Sequence, residues 1–161
     1  EFGLLDEARA HLDDDQWLRH PGEEVLRLRC PFPSGLRTAV TDVTLDCGQT
    51  IPAGSTVQLW FSAANRDEAV NAGTTNARSP AVFDITRRPN RHVTFGFGVY
   101  RCQGAELARL EDRVALRIAL AALPRLHMAR DKPFVRHAGV DDGIDDVTFR
   151  FDQRAAMRLL T

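Results

Sequence analysis

The densest chemistry in the sequence lies in ten residues, Phe95-Gly96-Phe97-Gly98-Val99-Tyr100-Arg101-Cys102-Gln103-Gly104, directly ahead of a stretch with helical spacing. A cysteine at a helix N-terminus faces unsatisfied backbone N–H groups and the positive end of the helix dipole, which favour thiolate over thiol. Glycine at 96, 98 and 104 lets the backbone bend so that its amides approach the sulfur. A lone cysteine in another setting is a small buried packing residue. Here the setting points to a thiolate ligand, and a thiolate held this way suits an axial position on haem iron.

Other charged groups are patterned. Glu24-Val25-Leu26-Arg27 sets a carboxylate and a guanidinium one helical turn apart, a spacing that on most helices means a solvated pair. Arg87, Arg88, Arg91 and His92 form a basic cluster. A nucleic-acid partner is not expected from it, since the chain carries a formal net charge of -1 and no aromatic residues are interleaved for base stacking. Arg109, Arg113 and Arg117 recur every four residues and share one helical face, with Leu107, Leu110, Val114 and Ile118 largely on another.

The elements that position these groups follow from pattern. Leu4 to Leu12 has helical composition, and Asp13-Asp14-Asp15 followed by QWLRHPG reads as a helix end or surface turn. Pro21-Gly22 then opens the short helix EEVLRLR, which Pro31 and Pro33 stop. From Gly35 to Trp60, LRTAV, VTLDC and TVQLW alternate as a small antiparallel sheet, with turns at Thr41-Asp42 and at IPAG. Residues 71–80 read as a loop, 83–104 as irregular chain and Ala105 to Pro124 as the longest helix; VTFRFDQRAAMRL reads as a terminal two-stranded hairpin after the polar loop AGVDDGIDD.

With 161 residues and 43% hydrophobic content, one core and a single unit over 1–161 are expected. No stretch approaches the roughly 20 apolar residues of a membrane span, and the N-terminus lacks a secretion-signal pattern, so a soluble, cytoplasmic chain with no membrane partner is expected. Cys30, Cys47 and Cys102 are odd in number and lack zinc-ligand spacing, against a disulfide framework or a zinc site.

The cysteine segment resembles the loop of the cytochrome P450 family, written F-G-x-G-x-[H/R]-x-C-x-G, and matches it at Phe95, Gly96, Gly98, Cys102 and Gly104. AELARLE, Ala105 to Glu111, is similar to the helix that follows the cysteine in bacterial members. Glu24 to Arg27 resembles the family's E-x-x-R motif. The order after it, a small sheet, IPAG, Asn65-Arg66-Asp67, Phe83-Asp84 and the cysteine loop, is the family's order.

The resemblance implies haem b (iron protoporphyrin IX) ligated by Cys102, a structural pair Glu24–Arg27, and propionate contacts from Arg37 and His92. Tyr100 stands where the family carries His or Arg near a propionate, which leaves at best a phenol hydrogen bond; Arg101 is the neighbour placed to compensate. It also implies that the cysteine side of the haem docks an acidic ferredoxin, for which Arg109, Arg113 and Arg117 are the candidate surface.

Resemblance runs over roughly residues 15 to 130, the C-terminal part of a longer family chain. The long helix over the distal haem face, with its acid–alcohol pair, and most pocket helices have no counterpart. The fold class expected is therefore α+β, a partial P450 fold: ExxR helix, small antiparallel sheet, meander, cysteine-ligand loop, long helix, terminal hairpin. The function implied is a haem-thiolate protein supporting oxidation of a small organic substrate, as monooxygenase or with peroxide, if the distal half is supplied. The competing function is a non-catalytic P450-like protein that binds or stabilises a partner. A fragment, a subunit and a naturally reduced protein all stay open, and an exposed half-fold implies a second chain or self-association.

Overall fold

The computed structural model describes residues 2–71, 79–139 and 141–155. Two helices open the chain, α1 over Phe2–Ala10 and α2 over Asp15–Leu28. Asp14 sets the start of α2. Its side chain accepts the amides of Gln16 and Trp17 at 3.0 and 2.9 Å, satisfying two donors that a helix start otherwise leaves unpaired.

This corrects the expected start at Pro21-Gly22, because Pro21 lies buried inside α2 and QWLRHPG is helical. An interior proline costs about 3 kcal/mol, but the Asp14 cap and the burial of Leu18, Pro21 and Gly22 outweigh it. Gly22 makes room for the Asp112 side chain: a Cβ there would lie 2.0 Å from its Oδ2, so that carboxylate would have to shift.

Beyond α2 the chain folds into two nested antiparallel ladders. β1 (Gly35–Thr38) pairs with β4 (Thr56–Leu59), with Arg37 opposite Val57, and β2 (Val43–Thr44) pairs with β3 (Thr50–Ile51). The middle strand is shorter than VTLDC because the chain already turns at Leu45, whose amide donates to Gln49 O at 2.8 Å with Gly48 at φ 82°. Two one-turn helices, α3 (Phe61–Ala64) and α4 (Glu68–Asn71), follow. Residues 79–104 carry no regular element except a 3-10 turn at Gly98–Tyr100. The expected loop at 71–80 falls largely on residues 72–78, outside the described residues.

The long helix is α5, Ala105–Ala122. After it, β5 (His127–Met128) pairs with β8 (Phe149–Arg150), and β6 (Val135–Ala138) pairs with β7 (Asp142–Asp146). A terminal hairpin is thus present, but the polar AGVDDGIDD segment helps form it. VTFRF supplies instead a strand that returns to the end of α5, and residues 153–155 are helical. The remainder of the expected last strand lies outside the described residues.

The centre of the fold is polar. Arg27, Leu18, Glu24, Asn65 and Asn71 are its largest fully buried side chains. α5 turns out opposite to the usual amphipathic arrangement: Leu107, Leu110, Val114 and Ile118 are 59%, 49%, 41% and 61% exposed. The arginine side faces inward, where Arg109 pairs with Glu23 and Arg117 donates to Leu12 O at 2.8 Å and pairs with Asp15. The accessible surface is 11411 Å², against about 8,000 Å² for a compact monomer of this mass. No helix among the described residues is long and apolar enough to cross a membrane.

Candidate functional site

The cysteine loop is closed by its own backbone. Cys102 N donates to Phe95 O at 2.7 Å, Arg101 N to Gly98 O at 3.1 Å and Gly96 N to Val93 O at 2.8 Å. Gly96 and Gly98 take φ of 67° and 62°, a region L side chains rarely adopt. Gly104 does not bend the chain in this way. With φ -82° it starts α5 without a side-chain cap, and a Cβ there would stand 3.9 Å from Cys102 Sγ.

Cys102 opens onto a cavity of about 260 Å³. Leu26, Phe32, Phe61 and Phe95 make its apolar walls, and Arg37, Thr94 and Tyr100 add polar groups. The Arg37 guanidinium lies 4.7 Å from the centre of the Tyr100 ring, which sets these two side chains together at this cavity. Arg101 turns away, donating to Glu106 Oε1 at 2.7 Å on the solvent side. Of the other cysteines, Cys30 is buried with Sγ donating to Phe32 O at 3.0 Å, and burial pushes its thiol pKa up; Cys47 is exposed in the β2–β3 turn.

His92 does not line the cavity. Its Nδ1 accepts the Thr94 amide at 3.3 Å, which leaves Nε2–H to donate to Glu23 Oε2 at 2.7 Å, with the side chain only 3% exposed. Glu23 also takes the fork of Arg109 through Nε and Nη2, the latter at 3.1 Å. Burial alone would push the Glu23 carboxyl up, but the hydrogen bonds and charges of His92 and Arg109 hold it below the usual carboxylate range. The same bond pushes Arg109 up against its own desolvation.

Glu24 and Arg27 form a buried pair with two hydrogen bonds, at 2.7 and 2.8 Å. Arg27 Nη1 also donates to Asn65 O at 2.9 Å and Pro80 O at 2.6 Å. Glu24 Oε1 accepts from Asp84 N at 2.9 Å and Arg87 Nε at 3.3 Å, and Oε2 from Asn90 Nδ2 at 3.0 Å. One carboxylate thereby collects the irregular chain over residues 84–90.

Three contributors escape the sequence. Arg87, weighed there only as part of a basic cluster, is 4% exposed and bound to Glu24. Asn65 accepts the Val93 amide at 2.7 Å and donates to Thr94 Oγ1 at 2.9 Å, fixing the approach to the cysteine loop. Glu23 carries no signal beyond being the first glutamate of EEVLR.

The family model for cytochrome P450 matches residues 22–123. The biotin biosynthesis cytochrome P450 of Bacillus subtilis is 44% identical over 107 residues, 66% of this chain and 25% of that protein. CYP109E1 from Bacillus megaterium, solved with corticosterone, superposes with TM-score 0.81 at 28% identity, covering 94% of this chain and 38% of that one. P450BioI, solved with a fatty acid-ligated acyl carrier protein, gives 0.76 at 33% identity, covering 91% and 36%. The chain spans about a quarter to a third of the length of the curated relatives it matches.

Proposed function

Because the chain belongs to the cytochrome P450 family, we propose that it binds haem b through the Cys102 thiolate and forms the cysteine side of a site that oxidises a small organic substrate. The carrying observation is Cys102 itself, tied by its amide to Phe95 O at 2.7 Å and presented at an apolar cavity beside Arg37. The donor set fits the group: one thiolate for iron, apolar walls for the macrocycle, and a guanidinium with a phenol for its carboxylates. When bound, haem supplies an iron centre for oxygen or peroxide chemistry.

The chain's own residues hold and shield that centre. Phe95, Phe32 and Leu26 offer apolar walls beside the sulfur. Arg37 and Tyr100 are the propionate groups, whereas His92, occupied by Glu23, positions the loop. Oxidation of substrate requires further protein over the opposite haem face, as monooxygenase or, with that face open, as a peroxide-driven catalyst. Separately, the exposed row on α5 supports a second chain or self-association that covers this helix; a strictly monomeric particle in scattering would remove that support.

An acidic ferredoxin remains the proposed electron donor, with its surface narrowed to Arg113, since Arg109 and Arg117 are engaged within the chain. Reduction that slows with ionic strength and with Arg113→Glu is the outcome that supports docking there.

The deciding experiment is the absorption spectrum of the haem-reconstituted chain, reduced and exposed to carbon monoxide. A thiolate-type Soret band is expected. Absence of haem uptake, or a neutral-ligand band, would instead favour a non-catalytic, partner-binding relative.

A further inference from the structure

Glu23 and Glu24 are neighbours on α2, and one residue rotates a helix by about 100°, so the two carboxylates address different parts of the molecule. Glu24 gathers Arg27, Arg87, the Asp84 amide and Asn90, all away from the cysteine loop. Glu23 gathers the two segments that flank that loop. His92, on the entering chain, donates to Oε2 at 2.7 Å, and Arg109, one turn into α5, grips both oxygens.

Both groups then meet the same ring. The Arg109 guanidinium lies 4.7 Å from the centroid of Phe95, and the His92 ring stands 6.1 Å from it at 51°. Phe95 in turn accepts the Cys102 amide through its carbonyl at 2.7 Å.

We propose that Glu23 is a positioning residue for Cys102: a single carboxylate on α2 clamps His92 and Arg109 against Phe95 and thereby sets where the cysteine is held. Its functional meaning rests on the haem-ligand assignment above, but the clamp itself does not. The exposures of Glu23, Arg109 and His92 side chains, 15%, 12% and 3%, keep solvent screening low. The hydrogen bonds from His92 and Arg109 keep the Glu23 carboxyl ionised despite its burial, so the clamp is set throughout the neutral range.

The test uses the full chain, first without haem. Amide hydrogen exchange should show the Cys102 amide opening about tenfold faster in Glu23→Gln, with amides of the β1–β4 ladder unchanged. Arg109→Lys keeps the charge but loses the fork and the ring contact, and should loosen the same amide. It decides the matter if Glu23→Gln does not fold. With haem, the thiolate-type fraction of the carbon monoxide spectrum should fall in both variants, and Glu23→Asp should restore part of it.

Unchanged exchange at Cys102 in the folded variants would overturn the proposal and reduce Glu23 to a framework contact. A chain that takes up no haem yet shows the loosening would sink the haem assignment and leave the clamp standing. A normal thiolate spectrum without loosening would sink only the clamp.

Discussion

Glu24 and Arg27 are joined twice, Nε to Oε2 at 2.7 Å and Nη2 to Oε1 at 2.8 Å, and their side chains are 1% and 0% exposed. Removing one partner strands the other charge without water. Glu24→Ala should cost about 3–5 kcal/mol, with Arg27→Ala similar because the guanidinium's three further donations, to Asn65 O, Pro80 O and Val82 O, are lost as well. Urea unfolding and the yield of soluble chain measure this. Normal melting of both variants would show the pair to be dispensable to the framework.

Cys102→Ser should abolish the thiolate-type spectrum, while Cys30→Ser and Cys47→Ser leave it in place. Cys30 is buried with its thiol pKa raised, and Cys47 stands in the β2–β3 turn, away from the cavity. Loss of the signal in either of those two would relocate the ligand.

The two bent glycines should differ on substitution. Gly98→Ala meets open space, so only its left-handed backbone opposes it, at about 1–2 kcal/mol. Gly96→Ala carries the same backbone cost and brings a Cβ to 3.1 Å from Tyr100 O, within the loop that presents Cys102. Gly96→Ala should therefore be the more damaging in both melting and haem uptake; equal effects would show that the loop gives way without cost.

Acid should unfold the chain partly through Glu23. Its carboxyl lies below its ordinary 4.5 when folded, so the unfolded chain binds that proton more readily. The stability it contributes is complete above that value and is lost as pH falls through and below it. Asp112 works the other way: burial first, then the Glu23 charge, push its carboxyl up from 3.8, so protonation in the folded state relieves a cost. Glu23→Gln should flatten the acid side of the stability profile and Asp112→Asn should steepen it while stabilising the neutral protein. Parallel profiles for all three chains would show that neither group governs acid unfolding.

The cysteine loop was legible because its information is local: two left-handed glycines and a cysteine before a helix lie within ten residues. The Glu24–Arg27 spacing was equally visible, and the order of the segments after it distinguished it from an ordinary helix pair. Arg87 and Asn65 were not, since their partners Glu24 and Val93 are 63 and 28 positions away and only the folded chain brings them together. Helical period showed which residues of α5 share a face but not which face turns inward, and there the charges of Glu23 and Asp15 decided. Pro21 marked a helix start by rule, yet Asp14 capped the helix about two turns earlier.

The outward row of Leu107, Leu110, Val114 and Ile118 has a thermodynamic signature. An unfolded chain of 18.0 kDa exposes about 26,000 Å² by the usual mass scaling, so a folded surface of 11411 Å² leaves less area to be uncovered on unfolding than a compact monomer would. The shortfall is about a fifth. Heat capacity of unfolding and denaturant sensitivity both scale with that area. The stability curve is therefore flatter with temperature than chain length implies, and a partner that covers the row returns a small part of the missing curvature.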